Sequence, residues 1–150
     1  MRAVIQRVSE SSVQIEGSVT ASIGNGLLIF LGIEHNDNQD DVEWLAKKIC
    51  QLRIFNDDSG IMNLSLIETG GEALVVSQFT LHAKTRKGNR PSYIRAARPE
   101  QAIPLYEKFI SEIGKLTKTP AKTGVFGAKM IITLKNDGPV TIIIDTRQKE

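Results

Sequence analysis

Two apolar runs constrain this chain more than anything else in it. Leu27–Glu34, LLIFLGIE, is apolar almost throughout and is bounded by Gly26 and by polar residues. It reads as a central strand buried on both faces. Glu72–Leu81, EALVVSQFTL, is a second buried strand of the same kind. A chain with two such strands must build a sheet and cover it.

The remaining segments supply the partners. AVIQRVSESSVQIEGSVTASIG alternates and breaks at Gly17 and Gly24, which predicts a hairpin of two strands. HNDNQDD reads as a helix entry, with Asn38 or a neighbour as cap and Asp40 and Asp41 where the helix dipole favours anions. Val42, Leu45, Ile49 and Leu52 then follow at helical spacing. NDDSG is a turn, and IMNLSLIETGG a short strand ending at paired glycines. A second helix is expected in RPEQAIPLYEKFISEIGKL, with Pro99 in its first turn and Ile103, Tyr106, Phe109, Ile110 and Ile113 as its stripe. After a connection, TKTPAKTG, the segments VFGAKMIITLK and VTIIID close the chain as strands.

The order β-β-β-α-β-β-α-β-β predicts an α/β fold in a single domain, residues 1–150. Its sheet is mixed and mostly antiparallel, with two main helices packed on it and a hairpin at each end. At 150 residues the chain suits one core. No apolar run approaches the roughly 20 residues of a bilayer span, so no membrane partner is expected. The N-terminus does not read as a signal peptide. A single cysteine, Cys50, allows no intrachain disulfide and points to reducing cytoplasm.

Several chemistries are excluded. Two histidines and one cysteine show no metal-ligand spacing, and neither a Walker A motif nor a dinucleotide fingerprint is present. Cys50 falls beside a helical stripe and reads as packed and inert. Thr80 and His82, two apart on a strand, would share a face as nucleophile and base. Against that pairing, His82 reads as the start of a polar loop, HAKTRKGNRPSY, and no carboxylate lies near it in sequence.

Net charge is only +2, but its distribution is uneven: Ala73–Pro99 holds no acidic residue and six basic ones, Lys84, Arg86, Lys87, Arg90, Arg95 and Arg98. The window reads either as a solvated basic loop or as an edge that contacts phosphates. One further stretch is odd. NDGP, Asn136–Pro139, looks like a hairpin turn, yet Pro139 stands where the returning strand should donate a hydrogen bond.

SQFTL (Ser77–Leu81) together with NDGPVT (Asn136–Thr141) resembles the D-aminoacyl-tRNA deacylase family, first named D-tyrosyl-tRNA deacylase. The likeness extends over essentially the whole chain, through MRAVIQRVSESSV, KGNRPSY and TGVFGAKM. It implies hydrolysis of the ester joining a D-amino acid to the 3′ end of tRNA, by a homodimer with active sites at its interface. It implies a cis Gly138-Pro139 bond reaching into the partner's site as a chirality filter, and neither metal nor organic cofactor. Ser77, Gln78 and Thr80 are then the candidate catalytic residues. Thr80 keeps two readings, a nucleophile or a group that only orients substrate or water; the lack of an adjacent base favours the second. Gly138, Pro139, Phe79, Met130 and Arg7 are candidates for substrate binding and the filter. Arg7 would hold the Gly-Pro loop or be a solvated strand arginine, and Met130 would line a pocket or pack in the core. Phe79 alternates with its neighbours, so on a strand it would face the core. Lys84, Arg86, Lys87 and Arg90 are the candidate tRNA contacts. Two alternatives remain: a nucleic-acid-binding module without catalysis, and a Thr-nucleophile esterase of small substrates.

Overall fold

The computed structural model describes residues 1–149. Its sheet is organised around β1 (Arg2–Ile15). Glu16 and Gly17 turn the chain into β2 (Ser18–Ile23), which pairs antiparallel with the C-terminal half of β1. β3 (Gly26–Gly32) carries on along the same edge, antiparallel to the N-terminal half, with Val8 opposite Gly26 and Arg2 opposite Gly32. β6 (Glu72–Ser77) lies parallel to β3, and the short β7 (Lys122–Thr123) parallel to β6. β8 (Ile131–Asp145) covers the other edge of β1.

Strand alternation sorts the apolar residues into two cores. Ala3, Ile5, Leu27, Ile29, Leu31 and Val75 point toward α1 (Gln39–Gln51) and α3 (Pro99–Leu116), which supply Leu45, Ile49, Phe109 and Ile113. Val8, Leu28, Leu74 and Val76 occupy the opposite face with Met130, Ile132 and Leu134. β6 and β8 are not sheet neighbours, yet their side chains share that second core. The sheet therefore curls toward a barrel.

The helices begin where local chemistry directs. Asn38 caps α1 by accepting from the Asp40 N–H at 2.9 Å, while its own N–H donates to Asp41 at 3.0 Å. Such a reciprocal cap contributes about 1 kcal/mol. In α3 the buried Tyr106 donates its hydroxyl to the Val75 carbonyl at 3.0 Å, tying helix to sheet. Burial pushes its phenol up to about 12.

Four expectations are corrected. The segment IMNLSLIETGG gives a short β5 (Met62–Leu64), paired with β4 (Phe55–Asn56), and then one helical turn, α2 (Leu66–Thr69). Ser65 and Glu68 form a capping box that starts this turn. TKTPAKTG contains β7, and the final strand begins only at Ile131, after turns through VFGAKM. The chain does not end in a hairpin: both flanks of NDGP pair antiparallel with β1, so they form one strand with an outward excursion. Finally, the strand through EALVVSQFTL stops at Ser77 and gives way to a 3-10 turn over Phe79–His82. Gly32 permits that turn: a side chain there would meet the Gln78 carbonyl at 2.9 Å, the Leu81 Cβ at 3.0 Å and the His82 ring at 3.1 Å.

Candidate active site

The 3-10 turn sets the geometry of SQFTL. Gln78 still donates its N–H to the Leu31 carbonyl at 2.8 Å, as the last tie to β3. Leu81 and Ala83 then donate to the Gln78 and Thr80 carbonyls. The N–H groups of Phe79 and Thr80 open the turn, so they have no partner within it. Arg2 secures the turn from below through a 3.0 Å bond to the Leu81 carbonyl.

Thr80 is half-buried, and the Gln78 amide donates to its hydroxyl at 2.5 Å. His82 does not join them. It is 1% exposed, and neither ring nitrogen has a hydrogen-bond partner among the described residues. Burial holds its imidazole below the ordinary value of 6.5, against an opposing pull from the Gly32 backbone and the Glu34 carboxylate. The reading that His82 has left the strand holds, but it ends a 3-10 turn that folds it inward over Gly32 rather than starting the polar loop.

Leaving the strand also changes Phe79. Its side chain is 56% exposed, where strand alternation placed it in the core. The Tyr93 ring meets it edge-on, centroids 5.1 Å apart. Ser77, Gln78 and Phe79 line one wall of a cavity of about 230 Å³, whose other wall includes Gly127, Ala128 and Met130. A narrower pocket of about 60 Å³ continues behind the same residues toward Leu31, Ala97 and Phe126. Ser77, Gln78 and an apolar wall of Phe79 and Met130 thus share one concave site, while Thr80 stands beside it and lines neither pocket.

The Gly-Pro loop stands apart from that cavity. Gln6 pairs with Thr141 and Val8 with Asn136, so Asp137–Val140 bulge out opposite Arg7 alone. The Gly138-Pro139 bond is cis. Gly138 and Pro139 are exposed and line neither cavity beside Gln78. Arg7 is only 6% exposed, so it is no solvated strand arginine. Its Nε donates to the Asp137 carbonyl at 3.2 Å, and its Nη1 to the Ile54 carbonyl at 2.6 Å. The Asp137 carboxylate adds an ion pair at 3.2 Å.

The comparisons with known proteins decide what this arrangement belongs to. The family model described as D-Tyr-tRNA(Tyr) deacylase matches residues 4–145. A D-aminoacyl-tRNA deacylase of Parabacteroides distasonis is 59% identical over 150 residues, covering 100% of both chains. One from Cytophaga hutchinsonii is 61% identical over the same span, again covering 100% of both. The chain belongs to the D-aminoacyl-tRNA deacylase family. Like those relatives, it is an ester hydrolase. A solved structure described as c-Myc DNA Unwinding Element Binding Protein superposes with a TM-score of 0.92 at 40% identity, covering 97% of this chain and 99% of that one. A probable eukaryotic D-amino acid tRNA deacylase shares the fold, with a TM-score of 0.81 at 14% identity over 95% of this chain and 97% of that one.

The deacylase carries its basic loop beside this site. Lys84, Arg86, Lys87 and Arg90 are exposed and have no carboxylate partner among the described residues. The loop's base is pinched by reciprocal backbone bonds between Lys84 and Ser92, at 2.8 and 3.1 Å. Arg95 differs from the other cations: its guanidinium grips the Glu34 carboxylate at 3.0 and 2.7 Å, which anchors the end of the loop to the segment just past β3.

Sequence reasoning missed the residues that hold the deacylase's site in shape. Arg2, Glu34 and Asn136 each act across long sequence separations, and none was singled out as a site residue. Gly127 and Ala128 were read as strand rather than cavity wall. A larger cleft, about 640 Å³, lies between α1 and the end of β8, lined by Trp44, Lys48, Ile143 and Asp145 among others. Its lining holds no residue of SQFTL or NDGP. Cys50 is fully buried and its thiol is pushed up to about 12 by burial, so it is inert. Among the described residues no helix is long and apolar enough to cross a membrane.

Proposed function

We propose that this deacylase splits the ester between a D-amino acid and the 3′ end of tRNA as a cytoplasmic homodimer, each subunit lending its Gly138-Pro139 loop to the other's cavity. One observation carries the reading. The loop is exposed and anchored at its neck, yet it lines no cavity beside Gln78 and Phe79 of its own chain. A filter made of that loop therefore has to come from a second copy.

The chemistry is acyl transfer to water. On this reading the N–H groups of Phe79 and Thr80, left without a partner within the 3-10 turn, donate to the oxyanion, independent of any titrating side chain. Thr80 orients substrate or water, with the terminal ribose hydroxyl of the tRNA assisting. Its one side-chain partner among the described residues is a carboxamide, which is no base in either orientation, so that partner does not remove the hydroxyl proton. Ser77 and Gln78 hold the cavity wall, and Phe79 and Met130 offer an apolar surface to the aminoacyl-adenosine end. Lys84, Arg86, Lys87 and Arg90 meet acceptor-stem phosphates.

Handedness is read at the α-carbon. A rigid backbone wall placed where an L side chain must go rejects it by steric exclusion, whereas a side-chain wall would change rotamer. Such a filter ignores the identity of a D side chain. It also passes glycine, which has no side chain to clash, so glycyl-tRNA is a substrate on this reading.

Deacylation rates of matched D- and L-aminoacyl-tRNAs, with the wild type and with Thr80→Ala, test the proposal. D-Tyr-tRNA left intact by folded, dimeric protein would end it. A second reading, nucleic-acid binding without catalysis, draws on the 40% identical structure described as a DNA-unwinding-element binding protein and on the unpaired cations. It requires binding that persists in Thr80→Ala with no turnover to lose.

A further inference from the structure

The excursion of β8 leaves a specific gap in the sheet. Pro139 has no N–H, and Asp137–Val140 have left the ladder, so no backbone donor of β8 stands opposite Arg7. The side chain of Asn136 fills that place. Its Nδ2 donates to the Arg7 carbonyl at 3.1 Å and to the Val140 carbonyl at 2.9 Å. A carboxamide NH₂ carries two hydrogens, and both are used. One bond fastens the entry of the loop to β1. The other fastens entry to exit, across the four-residue step from Asn136 to Val140.

The opposite side of the neck is held by Arg7, through Asp137, the Ile54 carbonyl and, at 3.4 Å, the Asn56 side chain. The neck is thus fixed on both sides while Gly138 and Pro139 project. We infer that Asn136 is a positioning residue for chirality discrimination, setting the direction in which Gly138-Pro139 leave the sheet. The inference rests on the filter proposed above.

Steric exclusion tolerates little play, since a wall that swings by an ångström no longer excludes. Loosening the neck should therefore act on the ratio of D to L rates rather than only on overall rate or stability. Asn136→Asp separates the two effects. The aspartate has nearly the same shape, but when ionised it only accepts, and it would face two carbonyl oxygens.

The experiment compares D- and L-Tyr-tRNA hydrolysis by wild type, Asn136→Asp and Gly138→Ala, with size-exclusion and thermal melting of each. Gly138→Ala must displace the loop directly, because a Cβ there would lie 2.8 Å from the Val140 side chain and 2.9 Å from Arg7 Nη2, at a φ of +124°. The expected result is a D/L ratio lowered about fivefold or more in Asn136→Asp, at unchanged oligomeric state. An unchanged ratio in Asn136→Asp, with a lowered one in Gly138→Ala, would overturn the role of Asn136 and leave the filter standing. Unchanged ratios in both would remove the filter, and the inference with it. Should Asn136→Asp fail to fold, Asn136→Ser is the second variant: its hydroxyl is too short to reach both carbonyls, and the same ratios decide.

Discussion

Gln78 and Thr80 are joined by a 2.5 Å hydrogen bond in which the amide donates and the hydroxyl accepts. A carboxamide is no base in either orientation, so this contact positions the Thr80 hydroxyl without activating it as a nucleophile. Thr80→Ala should therefore lower kcat by about tenfold to hundredfold, the scale of lost positioning, without abolishing turnover. Rapid quench with mass spectrometry should find no aminoacyl adduct on the protein. An adduct on Thr80 that disappears in the alanine variant would restore the nucleophile.

Arg7 should matter for stability as well as for the loop. Its side chain is almost fully buried and satisfies the Ile54 carbonyl at 2.6 Å. Arg7→Met would leave that carbonyl and the Asp137 carbonyl without their donor, at a cost of about 2–3 kcal/mol. Arg7→Lys, a point charge without the planar fork, should fall between methionine and wild type. Urea denaturation of the three proteins checks the order, and equal midpoints would show that the bonds add nothing.

Much of the fold is written in local pattern. The runs at Leu27 and Leu74 became buried strands, and Asn38 caps its helix as read. The failures share a cause. NDGP has every local mark of a hairpin, but whether its flanks pair with each other or with β1 is set by register with a strand more than 120 residues earlier, as the Ser11–Thr133 bond illustrates. Phe79 was assigned to the core by alternation, which holds only while the strand lasts; Gly32, on another strand, lets the chain turn away. One miss was legible: Ser65 and Glu68 have the spacing of a capping box and started a helical turn that was read as strand. The motifs SQFTL and NDGPVT are local, while Arg2 and Glu34, which hold the turn and the loop in shape, act from far away in sequence and carry no local signature of that role.

His82 gives the protein a predictable acid sensitivity. Burial lowers its folded-state pKa below 6.5, so the unfolded chain takes up a proton first as pH falls. The contribution of neutral His82 is therefore fully present above about 6.5 and is lost progressively as pH falls from there through the depressed folded value. His82→Leu removes this component. Stability measured by denaturant between pH 7.5 and 5 should fall less steeply in His82→Leu than in wild type, and parallel curves would rule the effect out.

The cations of the basic loop should separate into two kinds by salt dependence. Lys84, Arg86, Lys87 and Arg90 are exposed without a carboxylate partner among the described residues, whereas Arg95 is held by Glu34 at 2.7 Å. A cation that neutralises a phosphate releases a counterion on binding, so its removal should flatten the plot of log affinity against log salt by roughly 0.7–0.9 per contact. Alanine at any of the first four should weaken tRNA binding similarly for different tRNA sequences and reduce that slope. Arg95→Ala should leave the slope nearly intact, because its charge is already paired, and should instead loosen Tyr93–Ala97 and hence the edge-on contact of Tyr93 with Phe79. Filter-binding titrations of D-aminoacyl-tRNA at several salt concentrations measure the slopes. If Arg95→Ala flattened the plot as much as Lys84→Ala, the division between anchoring and phosphate-contacting cations would be wrong.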